Sequence, residues 1–257
     1  MLILGLTGDI ACGKSTVGRW LQARGARLLD ADLLVRELYA DPVFARQVAA
    51  LFENATPLHE YSCSATSANA TSANATSANA TSANATSASL TDAQSRFLLP
   101  DGTINRATLG NLVFNDALAL RRLEELVHPA VAALRERKIA ALRNIEKPPR
   151  VVVLEAVKLI ESGQALSCDQ IWWIVCDAKV QLRRLMENRG LSGKEARLRL
   201  AQQPDREAKH ALLGNVPCAV IENNESLAEL ENHVAKSWER LAMRFDIGGE
   251  TSGFHGL

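Results

Sequence analysis

The chain has 257 residues, 47% of them hydrophobic, and its 29 basic side chains balance 29 acidic ones. That length can bury a large core, and the zero formal charge argues against a nonspecific nucleic-acid or membrane-surface binder. No apolar run approaches the ~20 residues of a membrane span, and no basic region precedes the first apolar run, so no signal peptide is expected.

Leu2, Ile3, Leu4 and Leu6 read as a buried parallel strand, and Val17, Trp20 and Leu21 recur at helical spacing. Between them, Gly8, Gly13, Lys14 and Ser15 satisfy G-x-x-x-x-G-K-[ST]. A strand, a glycine-bounded loop and a helix form a phosphate cradle, with backbone N–H groups turned inward and the positive end of the helix dipole added. Lys14 is placed to reach β- and γ-phosphates, and the Ser15 hydroxyl to ligate Mg²⁺. The alternative is a bare glycine turn. Asp9 and Cys12 fill variable positions. A carboxylate beside a phosphate is unfavourable, so Asp9 is expected to point to solvent. Cys12 reads as a small tolerated residue rather than a reactive thiol.

A second strand at residues 27–30 runs into Asp30-Ala31-Asp32. Either carboxylate can cap the helix that follows, Asp30 above all. Asp32, near the helix start, can orient an alcohol toward a γ-phosphate and accept its proton, or hold Mg²⁺ through water. This strand is expected beside the phosphate loop.

More than a hundred residues separate it from a third strand at 150–154. Helical patterns over 112–123 and 130–142 predict a helical subdomain inserted over the strand ends. Inside it, Ala-Thr-Ser-Ala-Asn begins at residue 65 and repeats through 84, with a last copy ending in Ser89. The array has no large apolar residue with which to offset its ordering entropy, so residues 57–96 are expected to be a mostly disordered surface loop.

Further strands are predicted at 171–176 and 218–221. Alternating strands and helices imply an α/β fold with a parallel sheet covered on both faces and ligands at the strands' carboxyl ends. After the fourth strand comes Asp177, then Arg183, Arg184, Arg189, Arg197, Arg199, Gln202, Gln203 and Lys209. Arginines along helices are either a solvated face or, beside a phosphate loop, a lid that neutralises transferring charge and excludes water. The residues from 246 on are expected to be a flexible tail. Five cysteines without C-x-x-C spacing fit a reducing cytoplasm.

Taken together the sequence resembles the dephospho-coenzyme A kinase family from Leu4 to about Leu230, apart from the array. The markers are Gly5-Leu6-Thr7-Gly8 into Gly13-Lys14-Ser15-Thr16, Asp30-Ala31-Asp32 with Arg36, Asp101-Gly102-Thr103-Ile104-Asn105-Arg106, Leu109, Val113 and Phe114. Leu123-Glu124, His128-Pro129, Glu161, Arg184, Arg189, Arg199 with Gln203, Lys209 and Ile221-Glu222-Asn223 complete them. The resemblance implies a P-loop kinase-like parallel five-stranded sheet with helices on both faces, an inserted helical acceptor subdomain and a helical lid. One domain over 1–257 is implied: a nucleotide core at 1–34, 150–180 and 213–245, an acceptor subdomain at 35–149, a lid at 181–212 and a tail at 246–257.

It also implies phosphoryl transfer from ATP, with Mg²⁺, to the 3′-hydroxyl of dephospho-coenzyme A, the last step of coenzyme A synthesis. Asp32 would be the base, Lys14 the phosphate contact, Ser15 the metal ligand, and Arg184, Arg189 and Arg199 lid residues. The loop residues Ala11, Cys12, Gly13, Lys14, Ser15 and Thr16 would bind the nucleotide, with Asn223 near adenine. His128 lies in the acceptor region, where capping or packing is an equal reading.

The sequence departs from the family pattern at Asp9, where a second glycine is usual, and at residues 157–161, where Pro-Leu-Leu-Phe-Glu is usual. There Lys158 brings a charge to a spot that is normally apolar. A cytoplasmic enzyme with a small-molecule substrate and no nucleic-acid or membrane partner is expected. The rivals are a kinase for a nucleotide or shikimate-like alcohol, and a nucleotide-dependent binding protein with slow hydrolysis.

Overall fold

A computed structural model describes residues 1–53 and 95–247. The pentapeptide array and the residues after 247 lie outside them. In chain order the elements are β1 (Leu2–Gly8), α1 (Lys14–Ala23), β2 (Arg27–Asp30), α2 (Ala31–Ala40), α3 (Pro42–Glu53), α4 (Arg106–Asn115) and α5 (Ala117–Arg143). They continue with β3 (Val151–Glu155), β4 (Gln170–Val175), α6 (Ala178–Arg189), α7 (Gly193–Ala201), α8 (Arg206–Ala211), β5 (Cys218–Glu222) and α9 (Leu227–Phe245). The chain divides into two compact units, Met1–Leu38 with Glu125–Leu257, and Tyr39–Glu124.

The first unit holds the sheet. Its five strands are all parallel, in the order β2-β3-β1-β4-β5. Side chains alternate between its faces, as strand geometry requires. Leu2, Leu4, Leu6, Val153, Trp172 and Ile174 pack with Val17 and Leu21 of α1 and with Leu230, Val234 and Leu241 of α9. On the other face, Ile3, Val152, Leu154, Ile171 and Trp173 pack with Ile139 and Leu142 of α5. Burying each such large side chain contributes about 1.5–3 kcal/mol, which is why the central strands are largely apolar on both faces. The end of α5 is therefore part of the sheet's core, although it falls inside the expected acceptor span of 35–149.

β3 lies between β2 and β1, with Asp30, Glu155 and Leu6 level across the three strands. β2 is therefore one strand removed from β1, the strand that carries the loop. β3, buried throughout and apolar up to its final Glu155, takes the place beside β1 because it can be covered on both sides, whereas β2 keeps an exposed Arg27 and fits the edge.

Asp246 ends α9 in a left-handed conformation, and Ile247 donates its N–H to Ala242 and packs on the core. These two residues, expected in the tail, instead close the helix.

The second unit is built on α3, which buries Phe44, Ala45, Val48, Ala49 and Phe52. The Phe52 ring lies 5.8 Å from that of Phe97. Ser95, expected in the loop, accepts the Phe97 N–H on its hydroxyl and the Leu98 N–H on its carbonyl. Asp101 accepts the backbone N–H and hydroxyl of Thr103, and Asn105 caps α4 by accepting the Thr108 N–H. The run from Asp101 to Arg106 is thus a turn and a helix cap. The helix expected over 112–123 is broken at Asp116, whose carboxylate accepts the N–H groups of Leu118 and Ala119 and starts α5.

Candidate nucleotide site

The loop after β1 closes at the carboxyl end of the sheet's central strand. Gly13 has φ +90° and Ala11 φ +61°, both in the left-handed region. A residue other than glycine costs about 1–2 kcal/mol there, so the strained Ala11 marks a loop held by its surroundings. A Cβ on Gly13 would also strike the Asn223 amide. The loop is tied internally by Cys12 N–H to the Asp9 carbonyl at 3.3 Å and by Thr16 and Val17 N–H to the Gly13 carbonyl. The N–H groups of Ala11 and Gly13 meet no acceptor among the described residues. With the orphan donors of the first turn of α1 they form the concave set of donors that suits an oxyanion.

Lys14 and Ser15 converge on one carboxylate. Glu155 Oε1 accepts from Lys14 Nζ at 2.7 Å and from the Ser15 hydroxyl at 3.0 Å. Glu155 ends β3, only 4% exposed, and reading the sequence for function missed it. The signal was present: an apolar run, Val151 to Leu154, ending in a carboxylate where parallel sheets bind ligands. Gly18 on α1 makes room for it, since a Cβ there would come within 2.6 Å of Glu155 Oε2. The hydroxyl of Ser15 and the carboxylate of Glu155 are hard oxygen donors side by side, the kind of pair that suits Mg²⁺.

Asp30 and Asp32 divide their work. Asp30 Oδ1 accepts the Asp32 N–H at 2.8 Å, so Asp30 is the helix-starting residue. The Asp32 carboxylate is exposed and has no partner among the described residues.

Asp9 does not point to solvent. It is buried, its Oδ1 accepts from Lys209 Nζ at 2.8 Å, and its Oδ2 lies 3.6 Å from Arg206 Nε. Lys209 also contacts Glu161 Oε1 at 3.2 Å. The expectation failed because the compensating charge comes from α8, some two hundred residues along the chain.

Arg184 donates to Asn223 Oδ1 at 3.1 Å and to the Ala11 carbonyl at 3.5 Å, and Asn223 donates to the Cys12 carbonyl at 2.8 Å. Arg184, Ala11, Cys12 and Asn223 are thus brought together. Arg189 and Arg199 are not. They are exposed at the ends of α6 and α7, and their side chains make no hydrogen bond to any described residue, though the Arg199 charge acts on Glu195 one turn back. Gln203 Oε1 accepts the Ile10 N–H at 2.8 Å. Thr16 turns its hydroxyl to Arg19.

The Cys12 and Cys176 sulfurs are 3.0 Å apart, and Gln181 donates to Cys12 at 3.2 Å. The hydrogen bond to Cys176, then burial, push the Cys12 thiol well above the usual thiol range, and it reads as a packed residue. His128 lies exposed in the middle of α5 and neither caps nor packs. Val157 and Lys158 are exposed, and the Val157 carbonyl accepts from the Thr7 hydroxyl.

A parallel sheet in this order, with a glycine-lysine-serine loop after its central strand, defines an α/β phosphate-loop nucleotide-binding protein. The family model for dephospho-CoA kinase matches residues 2–56 and 55–229. A curated dephospho-CoA kinase of Geobacter sulfurreducens is 36% identical over 93% of this chain and 98% of its own length. One of Symbiobacterium thermophilum is 32% identical over 97% of this chain and 83% of its own. The chain belongs to the dephospho-CoA kinase family. In fold it is similar to a solved protein of Thermus thermophilus, with TM-score 0.62 and 24% identity over 96% of this chain and 98% of that one. The dephospho-CoA kinase of Campylobacter jejuni gives TM-score 0.59 and 21% identity over 94% and 98%.

Proposed function

We propose that this protein phosphorylates the 3′-hydroxyl of dephospho-coenzyme A with ATP, giving coenzyme A and ADP. The observation that carries this reading is the convergence of Lys14 and Ser15 on Glu155 at the mouth of the loop, in a chain of this family. The triphosphate end lies against the N–H groups of Ala11, Gly13, Lys14 and Ser15, with Thr16 beside them in the first turn of α1. Lys14 exchanges the Glu155 carboxylate for phosphate oxygens. Ser15 and Glu155 are the residues to hold Mg²⁺, which when bound neutralises phosphate charge. Cys12 contributes backbone, and Asn223 shapes the wall toward the base.

Asp32 takes the proton of the acceptor hydroxyl as its oxygen bonds the γ-phosphorus and the bond to the ADP oxygen breaks. Its carboxylate, exposed and without a partner among the described residues, is available for that role. Residues 181–212 act as the lid: Arg184 is already seated at the loop, and Arg189 and Arg199 close on the transferring group. The absence of C-x-x-C spacing and the balanced charge support a cytoplasmic enzyme without nucleic-acid or membrane partners. No helix among the described residues is long and apolar enough to cross a membrane.

ADP release measured over a panel of acceptors tests the proposal. Release that requires both dephospho-coenzyme A and Mg²⁺ is expected. Turnover with nucleoside monophosphates or shikimate but not with dephospho-coenzyme A overturns it, as does hydrolysis at one rate with or without acceptor.

A further inference from the structure

The carboxylate of Asp9 sits inside a loop built to bind anions, where it opposes the ligand unless something offsets it. Lys209 and Arg206 offset it, and the contacts do more than cancel charge. Lys209 is 5% exposed and lies between Asp9 at 2.8 Å and Glu161 at 3.2 Å. Arg206 lies 3.6 Å from Asp9 Oδ2 and donates to the Cys176 carbonyl, at the end of β4, at 2.8 Å. Gln203 accepts the N–H of Ile10, the residue after Asp9, at 2.8 Å. Three side chains from residues 203–209 are therefore anchored on loop residues 9 and 10 and on the adjoining strand end. Burial favours a neutral Lys209, but the hydrogen bond and charge of Asp9, then those of Glu161, outweigh it and raise its pKa above the ordinary lysine value. Lys209 is thus a fixed, fully charged ammonium beside the phosphate loop. The second oxygen of Glu161 is buried with no hydrogen-bond partner among the described residues, so Glu161 holds the ammonium through one oxygen only, and Asp9 supplies the closer contact.

We infer that Asp9 is a positioning residue for phosphoryl transfer: it holds Lys209, and with it the segment carrying Gln203 and Arg206, in register with the phosphate loop. This rests on the kinase reading above. Positive charge serves a loose phosphoryl transition state only when its place is set before the reaction, and a lysine on four methylenes has no such place unless a partner fixes it.

The test is a double-mutant cycle on the full chain, with kcat, KM for ATP and melting temperature read for each variant. Asp9→Asn should lower kcat about tenfold and leave KM for ATP within about twofold. Lys209→Met should lower kcat at least as much, and adding Asp9→Asn to it should cost nothing further, because Asp9 acts through Lys209. Asp9→Glu should recover part of the loss. Asp9→Gly serves as a second probe that removes the carboxylate without leaving a buried amide. Asp9→Asn at wild-type kcat, or losses that multiply in the double variant, overturn the inference. So does a joint fall of kcat, nucleotide affinity and melting temperature in both Asp9→Asn and Asp9→Gly, since that is the mark of a structural role. If the wild-type chain itself shows no acceptor-dependent ADP release, it is the kinase reading that falls. Thermal shift by Mg-ATP in wild type and variants then still reports whether Asp9 matters to the loop.

Discussion

In the phosphate loop, charged side chains are paired and placed: Lys14 rests on Glu155, and Asp9 on Lys209. In α6 and α7, the side chains of Arg189 and Arg199 stand in solvent with no hydrogen bond to any described residue, while that of Arg184, five residues before Arg189, is tied to Asn223 and Ala11. The two regions are parts of one proposed site held to different degrees. A loop that must present several N–H groups at once has to be set before the ligand arrives. In the proposed lid role, arginines that neutralise a charge existing only during transfer, and that must admit and release substrates, gain from staying free until closure.

That contrast makes unequal demands on single substitutions. The largest effect is expected for Asp32→Asn, which should lower kcat about a thousandfold while calorimetry still shows Mg-ATP binding, because the proposed proton acceptor is lost and the loop is untouched. Turnover near wild type would remove Asp32 from the mechanism. Glu155→Gln should lower transfer about a hundredfold and raise the Mg²⁺ concentration needed for half-maximal rate. Gly18→Ala, by displacing the same carboxylate, should reproduce the Mg²⁺ shift in milder form, and an unchanged Mg²⁺ titration in both would separate Glu155 from the metal.

Smaller differences are expected between the arginines. Arg184→Ala removes contacts present in the resting protein and should lower the melting temperature by about 2–4 °C. Arg189→Ala and Arg199→Ala should leave it within about 1 °C and lower kcat about tenfold. If all three lower the melting temperature alike, the contrast between seated and free arginines fails. A last effect, outside the site and without consequence for turnover, concerns Cys218, whose thiol is pushed up to about 11 by burial. A thiol is reactive as the thiolate, so alkylation of Cys218 at pH 8, followed by peptide mass mapping, should run about a hundredfold slower than for an unperturbed thiol and speed up as pH rises toward 11.

The strands, the loop and the first helix were readable because each is specified by neighbours in sequence. Apolar runs flanked by turn residues, and glycines around a lysine and a serine, carry their meaning within about fifteen residues. The break at Asp116 was local too, but an apolar helical rhythm on both sides hid a competing side-chain cap. The place of β2 was not readable, because strand order depends on which strand can be covered on both faces. Nor was Asp9: its environment is made by Lys209 and Arg206, and no rule of spacing links positions that far apart.

Taken alone, the amino-acid order specified a parallel α/β protein with a phosphate loop, a carboxylate pair after β2 and an arginine-rich stretch after β4, since periodicity and turn chemistry act over short range. Only the folded chain decided which carboxylate meets Lys14 and Ser15, which arginine touches the loop, and that Asp9 turns inward. Each of those is a contact between segments far apart in sequence, fixed by strand order and by the need to pair a charge once burial has taken its water away.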